Sequence, residues 1–109
     1  MSNAKKIHVS GEPMGYGGRL ATKAQEQGLN VVDDPKEAEI VALVSPQPMD
    51  VKNAHSQGYA KIVVVTFKND PPSWLVFRWA KFGAHNFIIS ARDVGVDLRR
   101  ILEAADWEW

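Results

Sequence analysis

Along the first ninety positions, short runs of apolar and β-branched residues are closed by glycine, proline or charged side chains. Residues 5–10, KKIHVS, predict a short strand, with Ile7 and Val9 β-branched and glycines bounding the run. From Tyr16 to Gln27 the spacing becomes helical. Tyr16, Leu20, Ala21 and Ala24 share one face, and Gly28 stands at the C-terminal end. A brief strand follows at 29–32. The next stretch, 33–38, is too short for a full crossover helix and reads as a single turn. EIVALV, 39–44, is apolar without alternation, as expected of a parallel strand covered on both faces. Asp50 then caps a small helix carrying Val51, Ala54 and His55, which Gly58 ends. KIVVVTF, 61–67, is the clearest strand and reads as central. A helix starts in NDPPS, 69–73, with Asp70 as cap and proline in the first turn, and runs to Phe82 before Gly83. NFIIS, 86–90, makes a fifth strand. A last helix over 93–105 aligns Val94, Leu98, Ile101, Leu102 and Ala105.

Five strands interleaved with helices predict a three-layer α/β sandwich: a five-stranded parallel sheet, flavodoxin-like, with helices on both faces and strand order 2-1-3-4-5. A chain of 109 residues reads as one domain, 1–109.

Composition narrows the function by exclusion. Thirteen Lys and Arg balance thirteen Asp and Glu, so the whole chain offers no general attraction to nucleic acid or an anionic membrane. With no cysteine, disulfides, thiolate nucleophiles and Cys-type metal centres are unavailable. No apolar stretch approaches the roughly 18 residues of a membrane span, and no signal-peptide pattern opens the chain. The expectation is a cytoplasmic protein. His8 reads as a near-core residue with one hydrogen bond. Neither it nor His55 or His85 has a partner at metal-ligand spacing, so neither a metal site nor a cofactor is expected.

Candidate chemistry starts in VSGEPMGYGGRL, residues 9–20, where Gly11, Gly15, Gly17 and Gly18 follow the first strand. In an open parallel sheet this turn lies at the strand ends where ligands collect. Ser10-Gly11-x-x-x-Gly15-x-Gly17 resembles the Thr-Gly-x-x-x-Gly-x-Gly loop of short-chain dehydrogenases. That resemblance implies a pyrophosphate at the helix N-terminus, cradled by backbone from Ser10 to Gly18, with Arg19 adding charge and Asp33 or Asp34 accepting from a ribose. It spans about eight residues; Glu12 and Pro13 do not suit an anion, and neither a Tyr-x-x-x-Lys pair nor a Gly-Lys-Ser/Thr motif follows. The other reading is a flexible turn with glycines at positive φ. Both stand at this point. No Gly-x-Ser-x-Gly elbow supports hydrolysis through Ser10.

A second resemblance covers more of the chain. VSGEP (9–13) is similar to the end of the first strand in response-regulator receiver domains, the CheY-like fold, where Val-Asp-Asp-Glu-Pro is typical. PMD (48–50) resembles their Pro-x-Met-Asp stretch, KIVVVTF places Thr66 on their switch Ser/Thr, and FGAHNFIISA (82–91) resembles the approach to their last strand. The resemblance implies phosphoryl transfer to an aspartate beside a magnesium-binding acidic pair, with a lysine nearby. Here the acidic pair falls on Ser10 and Gly11, the acceptor on Val44 or its neighbour, and the lysine on Ser90. Only Thr66 remains, with Glu12 the sole carboxylate nearby, so the expectation is a degenerate pseudo-receiver without phosphotransfer. AEIVALVSPQ (38–47) also resembles the third strand of sugar phosphotransferase B subunits, whose catalytic cysteine this chain lacks.

The helix SWLVFRWAKFG, 73–83, carries more apolar surface than one buried stripe requires. Leu75, Trp79 and Phe82, with Val76, supply the stripe; Trp74 and Phe77 fall near its rim, beside Arg78 and Lys81. Two readings stand: a protein interface, or extra core covered by the last helix and DWEW, 106–109. The leading expectation is a non-catalytic signalling module that associates with itself as a dimer, or with a protein partner, through this helix. The alternative is a small Rossmann-like nucleotide- or phosphate-binding protein using the glycine loop. A third is an assembly protein without a ligand.

Overall fold

The two runs richest in branched residues become interior strands of the computed structural model, which describes residues 5–11 and 15–107. The sheet joins β1 (Lys6–Ser10), β2 (Asn30–Val31), β3 (Ile40–Val44), β4 (Lys61–Thr66) and β5 (Asn86–Ile89), all parallel, in the order β2-β1-β3-β4-β5. Every residue of β3 is buried, and so is every residue of β4 except Lys61. Unalternating apolar sequence is what a strand covered on both faces requires.

Four helices cover the sheet: α1 (Tyr16–Glu26), α2 (Pro48–Ser56), α3 (Ser73–Phe82) and α4 (Val94–Asp106). One face packs Ile7, Ile40, Ala42, Val44, Val63 and Val65 against Leu20 and Ala24 of α1 and Leu98 and Ile101 of α4. The other packs Val41, Leu43, Ile62 and Val64 against Val51 and Ala54 of α2 and Leu75 and Trp79 of α3.

The second face is incomplete. Between β2 and β3 the chain makes only a 3-10 turn, Pro35–Glu37, where a parallel crossover usually takes a dozen or more residues. This connector is pinned over the first half of β1: the Lys6 N–H donates to Glu39 Oε2 (2.8 Å), and His8 Nδ1 lies 2.9 Å from the Val32 carbonyl oxygen. Beyond His8, among the described residues, no helix covers β1 on this side. The strand is built for that asymmetry, because Ile7 and Val9 face the full layer while Lys6, His8 and Ser10 face the thin one.

Two helix starts differ from expectation. Asp50 does not cap α2; the helix begins at Pro48, and Asp50 sits in its first turn, accepting the Gln47 N–H through Oδ2 at 2.9 Å. Nor does Asp70 cap α3. Pro72 holds an extended φ/ψ of −59°/145°, and a residue that precedes proline is steered from helical conformation, so the helix starts at Ser73.

Where α3 ends, Gly83 adopts φ 118°, and a Cβ there would lie 2.4–2.6 Å from atoms of the His55 side chain on α2. The close approach of these helices therefore needs a residue without a side chain. Gly83→Ala should cost about 1–3 kcal/mol in urea unfolding, and His55→Gly in that background should recover the steric share, apart from its own helix-propensity cost, but not the backbone strain at position 83.

Candidate functional site

Two features lie at the C-terminal edge of the sheet and a third on the outer side of a covering helix. The first is an open cleft of about 650 Å³ between the ends of β1 and β3 and the side of α2. The order β2-β1-β3 makes this the point where successive connections leave in opposite directions, the usual ligand position in open α/β sheets. Ser10, Gly11, Leu43, Val44 and Ser45 form its floor and rim, and Asp50, Asn53 and Gln57 form its wall. Gly11 has φ 90°, and a Cβ there would meet the Val44 carbonyl oxygen at 2.5 Å. That glycine is required by the packing of two strand ends, whatever the cleft holds.

The second feature is a buried polar knot around Asp97, in the first turn of α4. Its carboxylate accepts the Tyr16 hydroxyl, the Ser90 hydroxyl (2.5 Å, Oδ2) and the Ala91 N–H (2.8 Å, Oδ1). Asp97 is fully buried, so these donors replace the water it has lost. The knot ties the start of α1 to the end of β5 and the start of α4. Burial pushes the Tyr16 hydroxyl well above its ordinary 10.0, and the bond to Asp97 and its negative charge push further the same way. Phe67 meets the Tyr16 ring edge-on at 4.9 Å.

The third feature is the outer face of α3. Trp74 is 61 % exposed and Phe77 71 %, while Leu75 and Trp79 are buried against the sheet. The Arg78 guanidinium lies 5.8 Å from the Trp74 ring centre. Because α4 occupies the opposite layer, it cannot cover these aromatics, which overturns the extra-core reading for Trp74 and Phe77. Trp107 is itself 56 % exposed, and 108–109 lie outside the described residues.

The residues singled out from sequence are distributed among these features. Ser10 and Gly11 line the cleft. Gly15 precedes α1 with φ 75°; Gly17 is buried within the helix, while Gly18 and Arg19 are exposed on it. Glu12 and Pro13 lie outside the described residues. Thr66 is buried, its hydroxyl accepting the Lys68 N–H at 3.2 Å, and it borders a separate groove with Phe67, Trp74 and Leu75. His8 makes the expected single contact. No cluster of three or more His, Asp or Glu that could hold a metal occurs among the described residues, and no helix there is long and apolar enough to cross a membrane.

Sequence reading missed Asp97, Asn53 and Gln57. Asp97 had a signal: it falls inside the stripe Val94, Leu98, Ile101, where a charge must find partners. Asn53 and Gln57 had none, being ordinary polar residues on a surface helix.

Asp97→Ala leaves two hydroxyls and an N–H without an acceptor, so unfolding stability should fall by about 3–5 kcal/mol. A raised folded pKa means that the Tyr16 contribution is complete below pH 10 and is lost as pH rises above it. Urea titrations at about pH 8 and about pH 11 should show this loss, and Tyr16→Phe, costing about 1 kcal/mol at neutral pH, should reduce it.

No protein-family model and no curated protein sequence matches this chain. Solved structures do. The signal receiver domain of the putative response regulator NarL from Mycobacterium tuberculosis superposes with a TM-score of 0.72 at 11 % identity, covering 98 % of this chain and 100 % of that one. A response regulator from Thermotoga maritima gives 0.71 at 13 % identity, over 95 % and 99 % of the two chains. The BeF3-activated receiver domain of Klebsiella pneumoniae RstA gives 0.70 at 16 %, over 94 % and 99 %. At these identities the likeness is one of fold, and the fold is the five-stranded parallel α/β architecture of response-regulator receiver domains.

Proposed function

We propose that this chain is a regulatory protein-interaction module that works without phosphotransfer, through the outer face of α3. The observation that carries the reading is the pair of exposed rings, Trp74 and Phe77, beside Arg78 and Lys81 on a helix with no acidic residue. Burying each ring in a partner would contribute about 1.5–3 kcal/mol, and Trp with Arg is the composition of binding hot spots. The strand ends support the loss of phosphotransfer: Ser10, Gly11, Val44 or its neighbour, and Ser90 stand where the resemblance calls for carboxylates and a lysine, and Ser90 is committed to Asp97. Thr66, the one match, borders the groove that also includes Trp74, which gives it a route to the interface. A cysteine-free chain suits the reducing cytoplasm, where we place it.

Self-association is the first form to test. Light scattering over a wide concentration range should show a dimer, and Trp74→Ala or Phe77→Ala should raise its dissociation constant at least tenfold. An unchanged mass profile in both variants would remove α3 as the contact surface.

The nucleotide or phosphate reading keeps one observation in its favour, the place of Ser10 and Gly11 at the switch point of the sheet. A phosphate ligand at about one hundred times its dissociation constant should add about 2.7 kcal/mol of stability. Thermal unfolding unmoved by a nucleotide panel sinks this reading.

A further inference from the structure

The cleft beside α2 has a chemical character that neither reading uses. It exists because the β2–β3 connector crosses only the first half of β1, leaving Ser10 exposed beside its buried register partner Leu43. Asp50, Asn53 and Gln57 recur at three- and four-residue spacing and so project from one edge of α2 and the turn that follows it. The opposite edge of the helix belongs to α3, with Lys52 over the Phe82 ring at 5.6 Å and His55 against Gly83. Lys52 and His55 thus face the neighbouring helix, and the carboxylate and amides of this segment face the cleft.

Among the described residues, no Lys, Arg or His lines this space, and Asp50 is its only charge. Such a lining repels phosphate. Ser10, Ser45, Asn53 and Gln57 make no side-chain hydrogen bond to other described residues, and Asp50 commits only Oδ2, to Gln47. Tyr59 adds an aromatic ring at the far end. Ser45 holds φ 50°, an uncommon conformation for serine, pinned by its N–H to the Val65 carbonyl at 2.8 Å. The volume, about 650 Å³, falls in the range of small-molecule sites.

We propose that this cleft binds a small organic cation, an amine or guanidinium carrying amide or hydroxyl groups. Asp50 Oδ1 accepts from the cationic head, the Ser10, Asn53 and Gln57 side chains pair with the neutral groups, and the Tyr59 ring borders the opposite end of the ligand. A neutral polyol would leave the one unshared charge unused.

The test is an NMR titration of the isotope-labelled full chain with argininamide, glucose and inorganic phosphate as separate probes. Argininamide should shift the Ser10, Ser45, Asn53 and Gln57 amides saturably, and the other two probes should not. Asp50→Asn keeps an acceptor for the Gln47 N–H, so α2 stays capped, and it should weaken argininamide roughly tenfold. Unchanged resonances from α4 would verify that the variant is folded. The proposal is overturned by glucose or phosphate binding at these residues as tightly, by equal affinity in Asp50→Asn, or by no saturable shift up to about 50 mM.

Discussion

The shortness of the connection between β2 and β3 is the constraint on which this molecule's surfaces depend. Strands β2 and β3 flank β1, so the chain must cross β1 to pass between them, and residues 32–39 are too few to do so with a helix. One layer of the sandwich therefore holds two helices and a strap. The layer of α1 and α4 closes over a continuous apolar core, while the layer of α2 and α3 ends at an open cleft. The polar residues of β1 follow from this, since His8 meets the strap and Ser10 meets solvent.

At the end of β5 the chain has spent its polar residues on structure. A buried carboxylate in a low-dielectric interior must be surrounded by donors, and Asp97 gathers three of them, one from α1 and two from the loop between β5 and α4. Ser90, which the receiver resemblance would make a lysine, is one of those donors. The result is a rigid junction of α1, β5 and α4 where a reactive centre would need accessible charge. With the edge so committed, the features left for recognition are the exposed aromatic face of α3 and the acid-and-amide edge of α2. They lie on the same layer of the sandwich, separated by the packed helix pair, and carry opposite charge: Arg78 and Lys81 on one, Asp50 on the other.

Much of this was legible from local pattern. The runs IVALV and IVVVT admit only buried strands, Gly28, Gly58 and Gly83 mark helix ends, and the spacing of Leu75 and Trp79 assigns the buried stripe of α3. Period and punctuation depend on neighbours a few residues apart, and so does the order of elements that led to the sheet order. Helix starts were harder. Asp50 and Asp70 look like caps because aspartate caps well, yet prolines at 48, 71 and 72 decided where each helix could begin.

The sequence by itself determined the fold class and the surplus of aromatic side chains on α3, and its alternation of elements favoured the strand order that the structure shows. Each follows from periodicity and from general rules for connecting parallel strands. Only the tertiary structure decided what faces what. It put α3 and α4 on opposite layers, which leaves Trp74 and Phe77 in water, and it brought Tyr16 to Asp97 across 81 positions of sequence. It also opened the cleft at Ser10, beside amides that no motif marks. Such groupings depend on which elements the twisted sheet brings together, and pairings between residues distant in sequence leave no period to read.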